Sequence, residues 1–328
     1  MTDRPLVDLA AIQAAAGRLK GVAIRAPLVP YGPPEDRIYL KAESLQPIGA
    51  FKLRGAYAAI SSLSAEERER GVITYSSGNH GQGVARAARV LGTKAVVVMP
   101  DDAPTIKRDR IAADGAEVVV VGNGSDERQA RAEAIAAERG LAIIPPFDDD
   151  RIIAGQGTIG IEILEDLPTT ALVVVPVGGG GLASGVATAV KSMRPDVRVI
   201  GIEPELSADA KESLERGSIV RWSAADASRT IADGTRTQSL GERTFAHLRA
   251  HLDRVVTVSE REIAAAVRLA AEGARLVVEP SGALALAAIA YRAEELGMPV
   301  DGDVVGVVSG GNVDLERYLG YLEMPLPD

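Results

Sequence analysis

The chain has 328 residues, of which 46% are hydrophobic, 3% aromatic and none cysteine, and it carries a net charge of −9 with an isoelectric point near 5.1. Disulfides, thiolate metal sites and a cysteine nucleophile are excluded, and the acidic balance argues against a nucleic-acid partner or an anionic membrane, since either needs a basic face. No basic segment precedes an apolar run in "MTDRPLVDLAAIQ", and no apolar stretch reaches the about 18 residues of a membrane span, so a soluble cytoplasmic protein is expected.

In chain order, "SLQPIGAFKLRGA" (Ser44–Ala56) comes first, with Lys52 in a Gly/Ala/Phe-rich turn where a helix begins. "GVITYSS" then leads into "NHGQGVARAARVLG", "KAVVVMP" into "PTIKRDRIAADG", and "AEVVVVG" into "SDERQARAEAIAAERG". The cluster "PPFDDD" (Pro145–Asp150) marks a turn. Beyond it, "LVVVPV" runs into "GGGGLASGVATAVKSM", followed by "VRVIGIEP", "RVVTVSEREIAAAVRLAAEG", and "VVGVVSG" into "GNVDLERYLGYL". Short β-rich runs alternating with Ala-rich amphipathic segments predict βαβ units and an α/β fold with parallel sheets. A small domain is expected over residues 69–149 and a large one over 1–68 and 150–328.

Open α/β sheets bind ligands beyond the carboxyl ends of their strands, and three such turns stand out. In "VPVGGGGLASG", Gly178, Gly179, Gly180 and Gly181 join a Val-rich strand to a helix; their N–H groups would cradle a phosphate, where a plain tight turn needs fewer glycines. In "TYSSGNHGQG", Ser76, Ser77, Asn79, His80 and Gln82 crowd one helix start. A simple cap needs one of them, and together they suit a carboxylate. In "VVSGGNVD", Ser309 closes an apolar strand. With Glu203 ending "VRVIGIE", roughly where a dinucleotide fold holds a ribose, a nicotinamide-dependent oxidoreductase competes at this point. Its glycine spacing is absent, however, and Lys52 has no place in it. A lysine in an apolar setting has a lowered pKa and can form Schiff bases.

"SLQPIGAFKLRGA", "SSGNHGQG", "VPVGGGGL", "IADG" and "VSGGNVD" resemble, in order, the motifs of the pyridoxal-phosphate-dependent serine/threonine dehydratase and serine racemase family, of the tryptophan synthase β-like fold (fold type II). The resemblance spans nearly the whole chain. It implies two open, mainly parallel sheets flanked by helices, with pyridoxal 5'-phosphate in the cleft between a large and a small domain. Lys52 would hold the cofactor as a Schiff base and move the substrate's α-proton. Phe51 would flank the cofactor, Asn79 would bond its 3-hydroxyl, Gly178 to Gly181 with Leu182 would hold its phosphate, and Ser309 would face its pyridine nitrogen. Ser76, Ser77, Asn79 and His80 would receive the substrate carboxylate. Glu203, the carbonyl of Ser207 and Asp209 match a divalent-cation site of part of the family, for Mg2+, Mn2+ or Ca2+.

The activity implied is β-elimination of a β-hydroxy amino acid of the L-serine or L-threonine type to a 2-oxo acid and ammonia. Ser77 matches the second acid/base of serine racemases, and 3-hydroxyaspartate dehydratases share the pattern, with Arg236 or Arg128 as the cation for a distal carboxylate. Cysteine synthase-like β-replacement is a remoter alternative on the same fold. With little chain after "SGGNVD", no regulatory C-terminal domain is expected. The expected partners are an amino-acid substrate and further copies of the chain, as a homodimer or homotetramer.

Overall fold

The computed structural model describes residues 4–76, 78–101, 105–122 and 125–327. Its strands, in chain order, are β1 (Leu28–Tyr31), β2 (Ile38–Ala42), β3 (Val72–Thr74), β4 (Ala95–Pro100), β5 (Glu117–Val121), β6 (Ala142–Ile143), β7 (Thr170–Pro176), β8 (Arg198–Pro204), β9 (Arg254–Val258) and β10 (Asp303–Val308). They form a six-stranded sheet in the order β1-β2-β10-β7-β8-β9 and a four-stranded sheet in the order β5-β4-β3-β6. Among the pairs of these described strands, only β1–β2 is antiparallel.

Most of these strands form because they are rich in Val and Ile, as in β4 (AVVVMP), β7 (TALVVVP) and β10 (DVVGVV), which fit a pleated surface covered on both sides. Their alternate side chains go to opposite faces. Val174, Ile200 and Val304 enter one core of the large sheet, while Val173, Val199 and Val305 enter the other. The small sheet divides likewise, with Val97 and Met99 on one face and Val96 and Val98 on the other. Its first face also takes Leu53, Ala56 and Ile60 from the helix Lys52–Ser61.

Local signals set the helix starts. Asp149 caps the helix Asp150–Asp166 by accepting from the Arg151 N–H at 2.7 Å. Ser259 and Glu262 form a reciprocal capping box. Pro280 opens the helix Pro280–Tyr291, whose residues Pro280 to Ile289 are all buried beneath the large sheet. Among the described residues, no helix is long and apolar enough to cross a membrane.

The carboxyl ends of β3, β7 and β10 open onto one cavity of about 610 Å³. This volume is ample for a small cofactor with its substrate.

Candidate active site

Lys52 is the first residue of its helix, and its turn is tied to the end of β10 by main-chain bonds. Phe51 N–H donates to the Ser309 carbonyl at 3.0 Å, and Gly311 N–H to the Gly49 carbonyl at 2.9 Å. The Lys52 amine donates to the Pro146 carbonyl at 2.8 Å and lies 5.2 Å from the centre of the Phe51 ring. Burial pulls its pKa down to about 8. Gly83 brings the helix Asn79–Leu91 against this turn, since a Cβ there would meet the Lys52 carbonyl at 3.1 Å.

The glycine loop sits across the cavity. Gly180 is left-handed (φ +91°) and caps the helix Gly181–Met193. The backbone hydrogen bonds leave the N–H groups of Gly178, Gly179, Gly180, Gly181 and Leu182 without an acceptor among the described residues. Free N–H groups at a helix start are what a phosphate needs. Phe147 is packed onto the loop so closely that a Cβ on Gly179 would enter its ring.

Asn79 begins its helix and is held on both sides. Its Nδ2 donates to Glu279 Oε1 at 2.6 Å, and its Oδ1 accepts from Asn312 Nδ2 at 2.8 Å. Ser76 lines the cavity and its Oγ accepts weakly from Gly78 N–H at 3.4 Å. Ser77 lies outside the described residues. His80 is 2% exposed, and its Nε2 faces the Ile144 carbonyl at 3.0 Å. A carbonyl only accepts, so Nε2 carries the proton and Nδ1 is bare. Burial, helped by the charge of Lys52, lowers the His80 pKa to about 3. The neutral ring has no N–H left for a substrate carboxylate, which leaves the main-chain N–H of His80 for that contact.

Ser309 is buried, with Oγ donating to the Ser281 carbonyl at 3.3 Å. Arg128 and Arg236 both line the cavity. Arg236 is steadied there by Nε and Nη2 bonds to the Thr230 carbonyl at 2.9 and 2.5 Å.

The acidic turn lies apart from the cavity. Glu203, next to last in β8, accepts from the Ala210 and Lys211 N–H groups at 3.0 and 2.8 Å. Asp209 is 1% exposed, and neither of its carboxylate oxygens has a hydrogen-bond partner. Burial, and then the charge of Asp209, raise Glu203 well above the usual carboxylate range, and burial above all pushes Asp209 up to about 7. No three His, Cys, Asp or Glu residues converge on a metal position among the described residues. The expected ligand set has only two carboxylates, completed by a carbonyl.

Sequence reasoning missed Glu279, Pro146 and Phe147. Glu279 gives no local signal beyond preceding a helix-starting proline. Phe147, one of three phenylalanines in the chain, sat in "PPFDDD", which reads as a turn.

A family model described as "Pyridoxal-phosphate dependent enzyme" matches residues 21–310. An L-threo-3-hydroxyaspartate ammonia-lyase of Saccharomyces cerevisiae is 42% identical over 309 residues, covering 93% of each chain. An L-threonine ammonia-lyase of Thermotoga maritima is 46% identical over 278 residues, covering 85% of this chain and 68% of the relative. The solved structure of maize serine racemase matches with a TM-score of 0.90 at 33% identity, covering 96% of this chain and 97% of that one. Matched along most of its length in both sequence and fold, the chain belongs to the pyridoxal-phosphate-dependent enzyme family.

Proposed function

We propose that the protein is an ammonia-lyase that eliminates water from a β-hydroxy amino acid of the L-serine or L-threonine type; a water is then taken back as ammonia is released, so that the net products are a 2-oxo acid and ammonia. The observation that carries this is the placing of a lysine amine with a pKa near 8 in one cavity with a free N–H cradle and a polar helix start. The residues fit pyridoxal 5'-phosphate. The unused N–H groups of Gly178 to Leu182 would hold its phosphate, Phe51 would flank its ring, Asn79 would meet its 3-hydroxyl and Ser309 its pyridine nitrogen. When bound, the cofactor supplies the electron sink that makes the substrate's α-proton acidic.

Lys52 would bind the cofactor's carbonyl carbon and, once released by substrate, take up the α-proton. An amine with a pKa near 8 is poised for that transfer close to neutral pH. Ser76, Ser77 and the first N–H groups of the helix Asn79–Leu91 would hold the substrate carboxylate, with the helix dipole favouring the negative charge. Ser309 would be a neutral partner for the pyridine nitrogen, which would favour prompt loss of the β-hydroxyl over transamination.

The bare, buried oxygens of Asp209 beside Glu203 fit a divalent cation, because unpaired carboxylates inside a protein are costly. A homodimer or homotetramer belongs to the same proposal, with sedimentation of the purified protein as its measure.

Activity on L-threo-3-hydroxyaspartate is a second reading, favoured by Arg128 and Arg236 lining the cavity. The deciding experiment supplies the cofactor-loaded protein with L-serine, L-threonine and L-threo-3-hydroxyaspartate and measures 2-oxo acid and ammonia. Equal amounts of both products are expected from at least one substrate. A protein that shows the visible cofactor band but releases ammonia from none of them is not this ammonia-lyase.

A further inference from the structure

Two residues beyond Lys52, the same helix carries a charge cluster that the chemistry above does not use. Arg54 is 1% exposed and Glu43 is 0% exposed. Arg54 grips Glu43 through Nε and Nη2, both at 2.8 Å. It grips Glu162 through Nη1 at 2.6 Å and Nη2 at 2.8 Å. Nη1 also reaches Thr158 Oγ1, and Nη2 the Ile24 carbonyl, each at 3.0 Å. Lys41, fully buried, pairs with Glu162 at 2.7 Å. Lys41 also faces Asp166 at 3.9 Å, which Arg25 holds at 2.6 Å, so these three cations and three carboxylates balance.

Such a cluster is a poor device for stability alone. Desolvating the charges offsets their attraction, and apolar groups of equal volume often do as well. What the guanidinium adds is geometry, because its planar fork fixes both carboxylates at once. Glu43 lies in the turn before the Lys52 loop, whereas Glu162 and Thr158 lie on the helix Asp150–Asp166. That helix follows directly on Pro146, whose carbonyl accepts from the Lys52 amine, and Phe147, which packs on the glycine loop.

We infer that Arg54 is a positioning residue: by clamping the first turn of its helix to Glu43 and Glu162, it sets the Lys52 amine against Pro146 and the glycine loop. The inference rests on the reading of Lys52 as the cofactor-binding amine. Without the clamp, the first turn would shift and admit water around the amine. Misplacement of a reacting group by about 1 Å costs about 100-fold in rate.

The test uses the cofactor-loaded enzyme and two variants. R54M/E43M removes one cation and one carboxylate, leaves the Lys41–Glu162 pair, and keeps the interior neutral. R54K keeps the charge and loses the fork. Melting temperature, kcat and KM on the best β-hydroxy amino acid are measured. So is the pH midpoint for uptake of pyridoxal phosphate, read from the visible band. The double variant is expected to melt close to the parent, with kcat down about 100-fold and KM within about threefold. Its uptake midpoint should move to higher pH, toward that of an ordinary lysine. R54K should show the same changes in smaller measure. A folded variant of either kind with the parent's kcat and midpoint overturns the inference. If the double variant does not fold, R54K decides by the same outcomes, and if neither folds, Arg54 is scaffold and the inference is lost. Should the parent bind the cofactor yet eliminate nothing, the functional reading fails, while the midpoints still report on Arg54.

Discussion

The Lys52 amine donates to the carbonyl oxygen of Pro146 at 2.8 Å, across 94 positions of sequence. That bond places the amine under the strap that carries Phe147 onto the glycine loop. Burial lowers its pKa from the ordinary 10.5 to about 8. Uptake of pyridoxal phosphate by the cofactor-free protein should therefore rise with pH through a midpoint near 8. Between about 8 and 10.5 the unfolded chain holds a proton that the folded protein has released, so folding stability contributed by this group rises with pH across that window. Urea melts of the cofactor-free parent and Lys52→Ala over that range measure it. The variant should lose both the visible band and this part of the pH slope. Identical slopes would show that the amine is an ordinary one.

Gly179→Ala should cripple cofactor binding while the protein still folds. Its Cβ would enter the Phe147 ring, so either the ring or the loop must move. Overpacking of this kind costs about 1–3 kcal/mol, which, if taken from binding, weakens affinity roughly 5- to 150-fold. Absorbance titration with pyridoxal phosphate reads the change. An unaltered affinity would mean that Phe147 does not shape the loop.

A chelator should lower the melting temperature of protein prepared with Mg2+, Mn2+ or Ca2+, and the cation should restore it. Asp209→Asn should abolish this response, since it neutralises a buried carboxylate whose oxygens have no protein partner. Metal analysis that finds no bound cation, with melting indifferent to chelator, would make the acidic turn a structural feature only.

Ser77→Ala separates racemisation from elimination. Racemisation needs proton delivery on both faces of a planar carbanion, and in the proposed chemistry Lys52 would serve only one. The variant is expected to lose any interconversion of L- and D-serine. Its elimination from L-substrates should be weakened only by a carboxylate hydrogen bond of about 0.5–1.5 kcal/mol. Chiral chromatography of both proteins is the measurement. Interconversion at the parent rate in the variant would reduce Ser77 to a carboxylate ligand.

Much of the site is legible in the sequence because its parts are local. A Val-rich strand, a glycine turn and a helix start occupy adjacent residues, so the geometry of Gly178 to Gly181 is written in one short stretch. The Lys52 turn and the Ser76–His80 crowd are local in the same way. The orientation of His80 was not legible. Its polar neighbours point to a carboxylate ligand, but packing turns its ring N–H to the Ile144 carbonyl, 64 positions away.

The sequence by itself determined the alternation of strands and helices, the face each buries, and the lysine and glycine turns, because apolar periodicity and turn chemistry act over a few residues. Only the tertiary structure decided which buried polar groups meet. Asn79 finds Glu279 and Asn312 at separations of 200 and 233, and Arg54 finds Glu162 at 108. A buried donor must have a partner, but which acceptor it takes depends on how the two sheets and their helices stack, and no local pattern encodes that choice.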